Sequence, residues 1–362
     1  MNLAVEILRL DAFFAGIGSF ITSVILVLTV KWHGKLSIDS HDGVQKVHTL
    51  PTPRIGGIAI AVGVIIGYAF SSRDAAAAEK RAILSSIILA GIPAFMFGLL
   101  EDLTKKVSVR ARLLATMASG ALGWGITGVS ISYVALPGVD WVLSFTVVSV
   151  LFTAFAVGGI ANAINIIDGF NGLAAGSVMI MLAAFGLVAR SAGDIPLAFS
   201  CLVLAGAVFG FFLMNWPIGK IFLGDGGAYF VGFALAWVAV LMPYRSPSIS
   251  PWVSLLICIY PITEVAVSFL RRLKRKNHHP GQPDKAHLHH LIHGRFIRHK
   301  FSSLPRIHHN PLTAMVCWLG PLSSLLLLTF SPVAAEQNYL TMACASFIFV
   351  YLLVYYRLRS FR

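Results

Sequence analysis

The sequence predicts an all-α fold, a polytopic integral membrane protein with about eleven transmembrane helices in a single domain spanning residues 1–362. Hydrophobic residues make up 57% of the chain and charged residues only 12%. An ordinary soluble domain has about a quarter of its residues charged, so this class is excluded. Apolar runs of near-spanning length recur along the whole chain, with neither a soluble domain nor an internal repeat between them.

Each predicted span is an apolar run bounded by polar or charged residues. The runs lie near residues 11–30, 55–70, 83–100, 111–128, 144–160, 174–190, 197–214, 227–243, 252–270, 312–330 and 339–356. The first run has no small-residue cleavage signature after it, which favours a retained span over a removed signal peptide. The four cysteines all fall in apolar runs, without disulfide or metal spacing.

The basic residues decide the predicted orientation. With the N-terminus outside, 22 of the 28 Lys and Arg residues fall in inner segments, which places the C-terminus in the cytoplasm. All twelve histidines fall in two inner loops, 31–54 and 271–311. The net charge of +13 is therefore interpreted as topology and as attraction to anionic lipids or phosphorylated substrates, with no role in nucleic-acid binding.

The stretch 162–176 joins two of these spans and carries the most unusual polar pattern. Asn162, Asn165, Asp168 and Asn171 recur every three residues, a period that places them near one face of a helix end. An unsatisfied amide in hydrocarbon costs roughly several kcal/mol, so such groups have partners or ligands. A helix-packing and turn device is the structural alternative.

Two further inner loops carry acids. Glu101 and Asp102 end one span, and Lys105 follows one turn later. Adjacent acids in a half-dry site repel, so one of them can serve as a base, or the two can gather a divalent cation. A helix-end pair neutralised by the following lysines is the alternative. Asp225 lies within GDGG at the mouth of another span, where it could hold Mg²⁺ against a pyrophosphate, although an ordinary turn has the same appearance.

The long basic loop 271–311 contains His287, His289 and His290, which can donate to phosphate or to a sugar amide. Zinc binding and a solvated loop without function are the alternatives. Glu264 lies inside the ninth span, so it is a functional candidate, with a structural hydrogen bond as the equal alternative.

Taken together, these motifs resemble the polyprenyl-phosphate N-acetylhexosamine-1-phosphate transferases, and within them the WecA-type enzymes. The resemblance covers roughly residues 10–330. It rests on PTPRIGG at 51–57, the acidic pair at 101–102, NxxNxxDGxNGLAxG at 162–176, FLGDGG at 222–227 and HLHH at 287–290.

This resemblance implies transfer of a sugar 1-phosphate, GlcNAc-1-phosphate first among the candidates, from a UDP-N-acetylhexosamine to undecaprenyl phosphate, with release of UMP. It further implies Mg²⁺ as cofactor, with Mn²⁺ as a substitute. The expected setting is a bacterial inner membrane with the active site on its cytoplasmic face, at the start of O-antigen or related envelope-glycan synthesis. Membrane lipids and a second copy of the chain in a homodimer complete the expected partners.

The implied roles fall into three groups. Asp102, Glu101 and Asp168 are assigned to catalysis, with Asp102 deprotonating the lipid phosphate and Glu101 standing where the family often has Asp. Asp225 and Asp168 are assigned to the metal ion. The residues assigned to substrate binding are Lys46, Lys105, Asn162, Asn165, Asn171, Glu264, His287, His289 and His290.

Three other functions stay open at this point. The peptidoglycan-precursor translocase is the alternative within the family, although its histidine motif is unbroken. A secondary transporter would hold acids near mid-membrane, with broken helices and repeats. A non-catalytic scaffold would tolerate replacement of Asp102 or Asp225 by Asn. Within the transferase hypothesis, direct attack of the lipid phosphate is expected, and a covalent aspartyl phosphate is the alternative.

Overall fold

The computed structural model describes residues 3–38, 52–71, 75–273, 286–330 and 336–360. Within these ranges the chain is helical, and its only β-type pairing is an isolated antiparallel bridge between Ile38 and Pro53. The predicted all-α class is therefore confirmed.

The helices alternate between long apolar segments and short connecting turns. They are α1 Leu3–Leu28, α2 Val30–Ser37, α3 Gly56–Phe70, α4 Ala75–Ala90, α5 Ile92–Thr104, α6 Val109–Thr127, α7 Pro137–Leu143, α8 Thr146–Ile167, α9 Leu173–Ser191, α10 Ile195–Asn215, α11 Gly224–Arg245, α12 Pro251–Ile257, α13 Ile259–Leu273, α14 Leu288–Leu291, a π-helical turn Ile292–Ile297, α15 Arg298–Lys300, α16 Arg306–Phe330 and α17 Gln337–Ser360.

Seven helices in the described part of the chain are long and apolar enough to cross a membrane, or up to nine if each of two bent pairs is one span. The pairs are α4 with α5, bent by 42° at Gly91, and α12 with α13, bent by 72° at Cys258. Proline near the start of the second helix explains both breaks, because Pro93 and Pro261 cannot continue the hydrogen-bond ladder of the preceding helix. The chain is thus an integral membrane protein.

The predicted count of eleven spans and the orientation of the termini both stay predictions. Each of the eleven intervals overlaps a helix or a bent pair. Two of these helices, α3 and α6, are not both long and apolar enough to be counted among the spans. Helix α3 has 15 residues, which span about 23 Å, less than the roughly 30 Å of a hydrocarbon core. Helix α6 is long enough, but Arg110 and Arg112 lie in its first turn.

Helix α11 lies at the centre of the bundle. Every residue from Gly224 to Met242 is buried, including Trp237, which has no exposed surface. A helix that is buried on all sides needs an apolar sequence all round, and α11 is apolar from Ala228 to Met242. It packs against α3, α5, α8 and α9, and the sequence changes to Gly and Asp only at its N-terminus.

The two ends of the bundle differ in their polar chemistry. The N-terminus of α11 lies beside the C-terminus of α5, the C-terminal part of α8 and the start of α3. At the other end, Arg245 binds Asp194 at 2.7 Å and Glu79 at 2.8 Å, which fixes the C-terminus of α11 against α4 and α10. The fold therefore collects the loops that carry the sequence motifs around one end of its central helix.

Candidate active site

The segment before α3 delivers Arg54 to the N-terminus of α11. The N–H of Phe222 donates to the carbonyl of Pro53 at 2.9 Å, and the N–H of Gly56 donates back to the carbonyl of Phe222 at 2.9 Å. The N–H of Gly57 donates to the carbonyl of Leu223 at 3.0 Å. These bonds run along two segments separated by about 170 residues, so the PTPRIGG motif is fixed to the FLGDGG motif by its backbone.

Asp102 caps the central helix. Its Oδ1 accepts from the N–H of Asp225 at 2.9 Å, and its Oδ2 accepts from the N–H of Gly226 at 2.9 Å. These are among the N–H groups that a helix start leaves without partners, and a carboxylate there also interacts favourably with the helix dipole. The side chain is 1% exposed. In this geometry Asp102 therefore has a structural role, because it caps the start of α11.

Two glycines make this contact feasible. Gly224 has φ +73°, a backbone conformation that L side chains rarely adopt, and a Cβ there would lie 2.1 Å from the Arg54 carbonyl oxygen. At Gly98, one turn before Asp102, a Cβ would lie 2.6 Å from the carbonyl carbon of Asp225. The end of α5 reaches the start of α11 because neither position has a side chain.

The Asp225 carboxylate contacts three polar side chains. Arg54 Nη2 lies 3.3 Å from Oδ1, Asn165 Nδ2 donates to Oδ1 at 3.0 Å, and Arg112 Nη1 donates to Oδ2. Arg54 Nη2 is also 3.8 Å from Asp102 Oδ1, so one guanidinium lies between two carboxylates. Arg54 is the most exposed of the four charged residues, with 28% of its side chain accessible.

Asn165 is oriented from both sides. Tyr229 O–H donates to its Oδ1 at 3.4 Å, which leaves Nδ2 directed at Asp225. The Arg112 guanidinium carbon lies 6.0 Å from the centre of the Tyr229 ring, which adds a cation–π contact. Asn162, one helical turn earlier on α8, is half-buried on the same side of the helix.

Asp168 differs from the other two acids. It follows the last residue of α8 and is half-buried, and among the described residues no hydrogen-bond donor reaches its carboxylate. Burial raises the pKa of this carboxyl from 3.8 to about 7, Arg54 lowers it and Asp102 raises it. Asp168 is therefore a carboxyl whose protonation state changes near neutral pH and whose oxygens accept no hydrogen bond from the described residues.

Asn171 lies in the loop 168–172 and faces into the protein. Its backbone N–H donates to Asn310 Oδ1 at 2.7 Å, and its Nδ2 donates to the Pro217 carbonyl at 3.1 Å. The next N–H, of Gly172, donates to Asn215 Oδ1 at 2.6 Å. The side chain is 4% exposed, so Asn171 holds the loop in place, and its predicted substrate contact is not visible in this geometry.

The histidine segment closes over the same loop. The Phe170 ring contacts His289, His290 and His293, with ring centres 5.8, 5.5 and 4.9 Å away. A Cβ at Gly169 would lie 3.1 Å from His289 Nε2. Burial lowers the pKa of His289 well below its usual value, with further lowering by His290 and His287, so this imidazole is neutral.

Glu264 is buried behind this segment. Its Oε1 lies 3.0 Å from His287 Nδ1 and accepts from the N–H of Leu288 at 3.0 Å, while its Oε2 accepts from Tyr351 O–H at 2.7 Å. The sequence analysis assigned Glu264 to substrate binding. In the structure its carboxylate contacts three protein groups, one of which is the predicted site residue His287.

The remaining predicted residues lie at the edge of the site or outside the described ranges. Glu101 is half-buried and accepts from the Val107 N–H at 2.8 Å, which closes the turn after α5. Lys105, at the C-cap of α5, is exposed with φ 57°. Lys46 lies outside the described residues.

Two residues of the site were missed by the sequence analysis. Arg112 and Tyr229 both belong to the network around Asp225. A signal for Arg112 was present, because it lies inside the predicted span 111–128, where a charged residue is a functional candidate. Tyr229 had no comparable signal, since an aromatic residue within an apolar span is ordinary.

The site fits a divalent cation that a substrate helps to hold. In the described part of the chain, no three His, Cys, Asp or Glu side chains are grouped closely enough to form a metal site. Mg²⁺ does not need such a cage, because it keeps several waters and is commonly bound by one or two carboxylates together with substrate phosphates. Two carboxylates of this kind are Asp225 and Asp168, and the Asp168 oxygens accept no hydrogen bond from the described residues.

The comparisons with known proteins identify a family. Residues 84–243, which contain Asp102, Arg112, Asp168 and Asp225, match the family model described as glycosyl transferase family 4. The histidine segment and α17 lie outside the matched range.

Three curated relatives are similar over most of their length. The chain is 30% identical over 262 residues to a probable undecaprenyl-phosphate N-acetylglucosaminyl 1-phosphate transferase of Bacillus subtilis, covering 72% of this chain and 71% of the relative. It is 31% identical over 280 residues to a decaprenyl-phosphate N-acetylglucosaminephosphotransferase of Mycobacterium leprae, covering 68% of each. It is 27% identical over 276 residues to an undecaprenyl-phosphate alpha-N-acetylglucosaminyl 1-phosphate transferase of Escherichia coli O157:H7, covering 75% and 73%.

Proposed function

Because this chain belongs to glycosyl transferase family 4, we propose that it transfers GlcNAc 1-phosphate from UDP-GlcNAc to undecaprenyl phosphate and releases UMP. The names of the three relatives support the sugar and the class of acceptor. The product would be a lipid-linked sugar that initiates O-antigen or related envelope-glycan synthesis. The proposed location is the cytoplasmic face of a bacterial inner membrane.

The observation that carries this proposal is the charge arrangement at the N-terminus of α11. Asp102 and Asp225 come from distant parts of the chain and both lie within 4 Å of Arg54, and Arg112 approaches Asp225 from α6. The charges of Arg54 and Asp102 also act on the pKa of Asp168, from a third part of the chain. Two phosphate compounds repel each other, so their reaction requires cationic groups fixed in advance at the point of contact. Arg54 and Arg112 are planar multi-donor cations suited to phosphate oxygens.

We propose the following chemistry for the transfer. An oxygen of the lipid phosphate attacks the β-phosphorus of UDP-GlcNAc, the bond between this phosphorus and the bridging oxygen breaks, and UMP leaves. Arg54 and Arg112 would turn from Asp225 toward the phosphate oxygens. Asp168 would accept the proton of the lipid phosphate, because its carboxylate is the one without a hydrogen-bond donor among the described residues and its pKa is about 7.

We also propose that Mg²⁺ binds at this site. Asp225 and Asp168 would hold it, and when bound it would neutralise negative charge on the pyrophosphate. In this structure both oxygens of the Asp225 carboxylate are bound by arginines, Oδ1 by Arg54 and Oδ2 by Arg112. A ligand that draws the arginines away would free the carboxylate for the cation.

The test is an assay of the purified full-length protein in detergent or nanodiscs. Undecaprenyl phosphate and Mg²⁺ are combined in turn with UDP-GlcNAc, UDP-GalNAc and UDP-MurNAc-pentapeptide, and UMP and lipid product are measured. The proposal expects UMP and lipid-linked sugar in equal amounts, with UDP-GlcNAc the preferred donor. Transfer with UDP-MurNAc-pentapeptide alone would identify the precursor translocase reaction, and absence of UMP with every donor would refute the transferase.

Omitting the lipid tests the direct route. Direct attack predicts no UMP release from UDP-GlcNAc without acceptor. A burst of about one UMP per enzyme would instead indicate a covalent phospho-enzyme.

A further inference from the structure

Glu264 is a buried carboxylate that contacts the site through the histidine segment. It lies on α13, is 1% exposed, and is held by three partners, namely His287, the Leu288 N–H and Tyr351. Tyr351 belongs to α17, the last helix. A carboxylate buried this deeply is retained only where its hydrogen bonds compensate for lost hydration, and all three contacts are between 2.7 and 3.0 Å.

These contacts determine which nitrogen of His287 carries a proton. Oε1 already accepts from the Leu288 N–H and Oε2 from the Tyr351 O–H, so both oxygens of Glu264 act as acceptors. The contact of 3.0 Å with His287 Nδ1 is therefore an Nδ1–H donating to Glu264. The free ring atom is then Nε2, in either the neutral or the cationic imidazole.

His287 is in turn connected to the reaction loop. Its ring is parallel to that of His289 within 4°, with the ring centres 5.4 Å apart. His289 lies against Gly169, the residue after Asp168. The order of contacts is thus Tyr351, Glu264, His287, His289 and the loop that carries Asp168.

A second set of contacts fixes the start of the histidine segment to the same two helices. Arg271 of α13 donates to the Ala286 carbonyl at 2.5 Å and to Tyr355 Oη at 2.7 Å. Tyr355 O–H, one turn after Tyr351 on α17, donates to the same Ala286 carbonyl at 3.2 Å. The backbone immediately before His287 is therefore held independently of Glu264, whose own backbone contact is with the residue after His287.

We propose that Glu264 is a positioning residue that fixes His287 with its proton on Nδ1 and thereby makes Nε2 the ring atom that meets the sugar nucleotide. The proposal rests on the proposed function for the identity of that ligand. It gives α17, outside the matched family region, a part in the reaction through Tyr351. Loss of the partner behind a metal-binding histidine typically costs about 10- to 100-fold in affinity or activity, and we expect the same range for His287.

A double-mutant cycle in the UMP assay tests whether Glu264 acts through His287. Glu264→Ala should lower kcat/KM by about 10- to 100-fold. In the His287→Ala background the same substitution should have no further effect, because the ring it positions is gone. Glu264→Gln should recover most of the activity, since its amide oxygen still accepts from Nδ1–H. Losses that multiply in the double variant would overturn the proposal and leave Glu264 a merely structural residue.

Two tyrosines on α17 provide a matched pair. Tyr351→Phe removes one donor to Glu264 and should lower kcat/KM by about tenfold, the lower end of the same range. Tyr356→Phe makes the same chemical change on an exposed side chain and should leave kcat/KM unchanged. Equal effects of the two substitutions would contradict a specific role for the Tyr351 hydroxyl.

Nuclear magnetic resonance of ¹⁵N-histidine-labelled protein tests the proton assignment without any activity. The His287 signal is identified by its disappearance in His287→Asn. The proposal expects protonated Nδ1 in the wild type and loss of this preference in Glu264→Ala. A neutral His287 protonated on Nε2 in the wild type would overturn it. If the wild type releases no UMP, the proposed function fails while this measurement still decides the role of Glu264.

Discussion

Replacement of Arg112 by Gln is expected to impair the enzyme more than its distance from the recognised motifs would suggest. Arg112 donates to Asp225 Oδ2 from α6, and only 15% of its side chain is exposed. Asp225, 8% exposed at its side chain, would keep Arg54 and Asn165 and lose its closest cation. The same substitution removes one of two guanidinium groups that the proposed reaction directs at phosphate.

The expected loss of kcat/KM follows from the strength of a hydrogen bond between Arg112 and a charged group. A hydrogen bond to a charged group contributes about 1.5–3 kcal/mol, and about 1.4 kcal/mol corresponds to a tenfold change in rate. Solvent screening is small at this burial, so the full range applies. Arg112→Gln should therefore lower kcat/KM by roughly 10- to 150-fold. Arg112→Lys keeps the charge but loses the planar fork, and should fall between Gln and wild type.

The matched control is Arg110→Gln. Arg110 lies two residues earlier on α6 and is exposed, so its loss removes the same charge from the same end of the protein without touching Asp225. UMP release measured at constant salt should distinguish the two variants. If Arg110→Gln and Arg112→Gln reduce kcat/KM equally, Arg112 contributes only general positive charge and the proposed contact with phosphate is wrong.

Three further outcomes are expected. Gly98→Ala should destabilise the protein by about 1–3 kcal/mol, because its Cβ would lie 2.6 Å from the Asp225 carbonyl carbon. The control Gly125→Ala has open space around its Cβ and should leave the melting temperature nearly unchanged. Equal melting temperatures of the two variants would contradict the close packing of α5 on α11. The value of kcat/KM should rise as pH increases through about 7, since the Asp168 carboxyl must lose its proton to act as a base. This rise should be absent from the residual activity of Asp168→Asn. The same rise in that variant would assign the titration to another group. Chelation of divalent cations should abolish transfer and Mg²⁺ should restore it, with Mn²⁺ as a substitute, and full activity in a chelator would exclude the proposed cation.

The grouping of the acids could be predicted from the sequence because membrane topology reduces the possible arrangements. The predicted spans and the distribution of Lys and Arg together predict that Asp102, Asp168 and Asp225 lie at the same side of the bilayer. Contact between them requires only that the corresponding helix ends be neighbours. The structure places Asp102 against the N-terminus of α11, which carries Asp225, and brings Asp168 close enough for Arg54 and Asp102 to act on its pKa.

Individual roles were less predictable because they depend on contacts between distant backbone groups. Asp102 binds the N–H groups of Asp225 and Gly226, more than 120 residues away, and no local pattern indicates a cap made by another helix. The period of three residues from Asn162 to Asn171 holds only while the helix continues. Helix α8 ends at Ile167, so Asn165 faces the site while Asn171 is turned into the protein.

Helix breaks and buried partners account for the other differences. The apolar run 83–100 is one span in the sequence, but Gly91 and Pro93 bend it into α4 and α5. Glu264 is an acid within a span, a pattern that indicates function without distinguishing ligand contact from support of another residue. Its partner Tyr351 lies 87 positions away, which only the packing of α17 on α13 reveals.

The central claim, that helix ends from separate parts of the chain form one reaction site, is tested most directly by kcat/KM of Asp102→Asn, Asp168→Asn and Asp225→Asn in the UMP assay. Each substitution keeps the size of the side chain and removes the charge, and thermal unfolding of each variant verifies that it is folded. Loss of about 100-fold or more in all three folded variants is the predicted result. Wild-type transfer by any one of them would contradict the site as described.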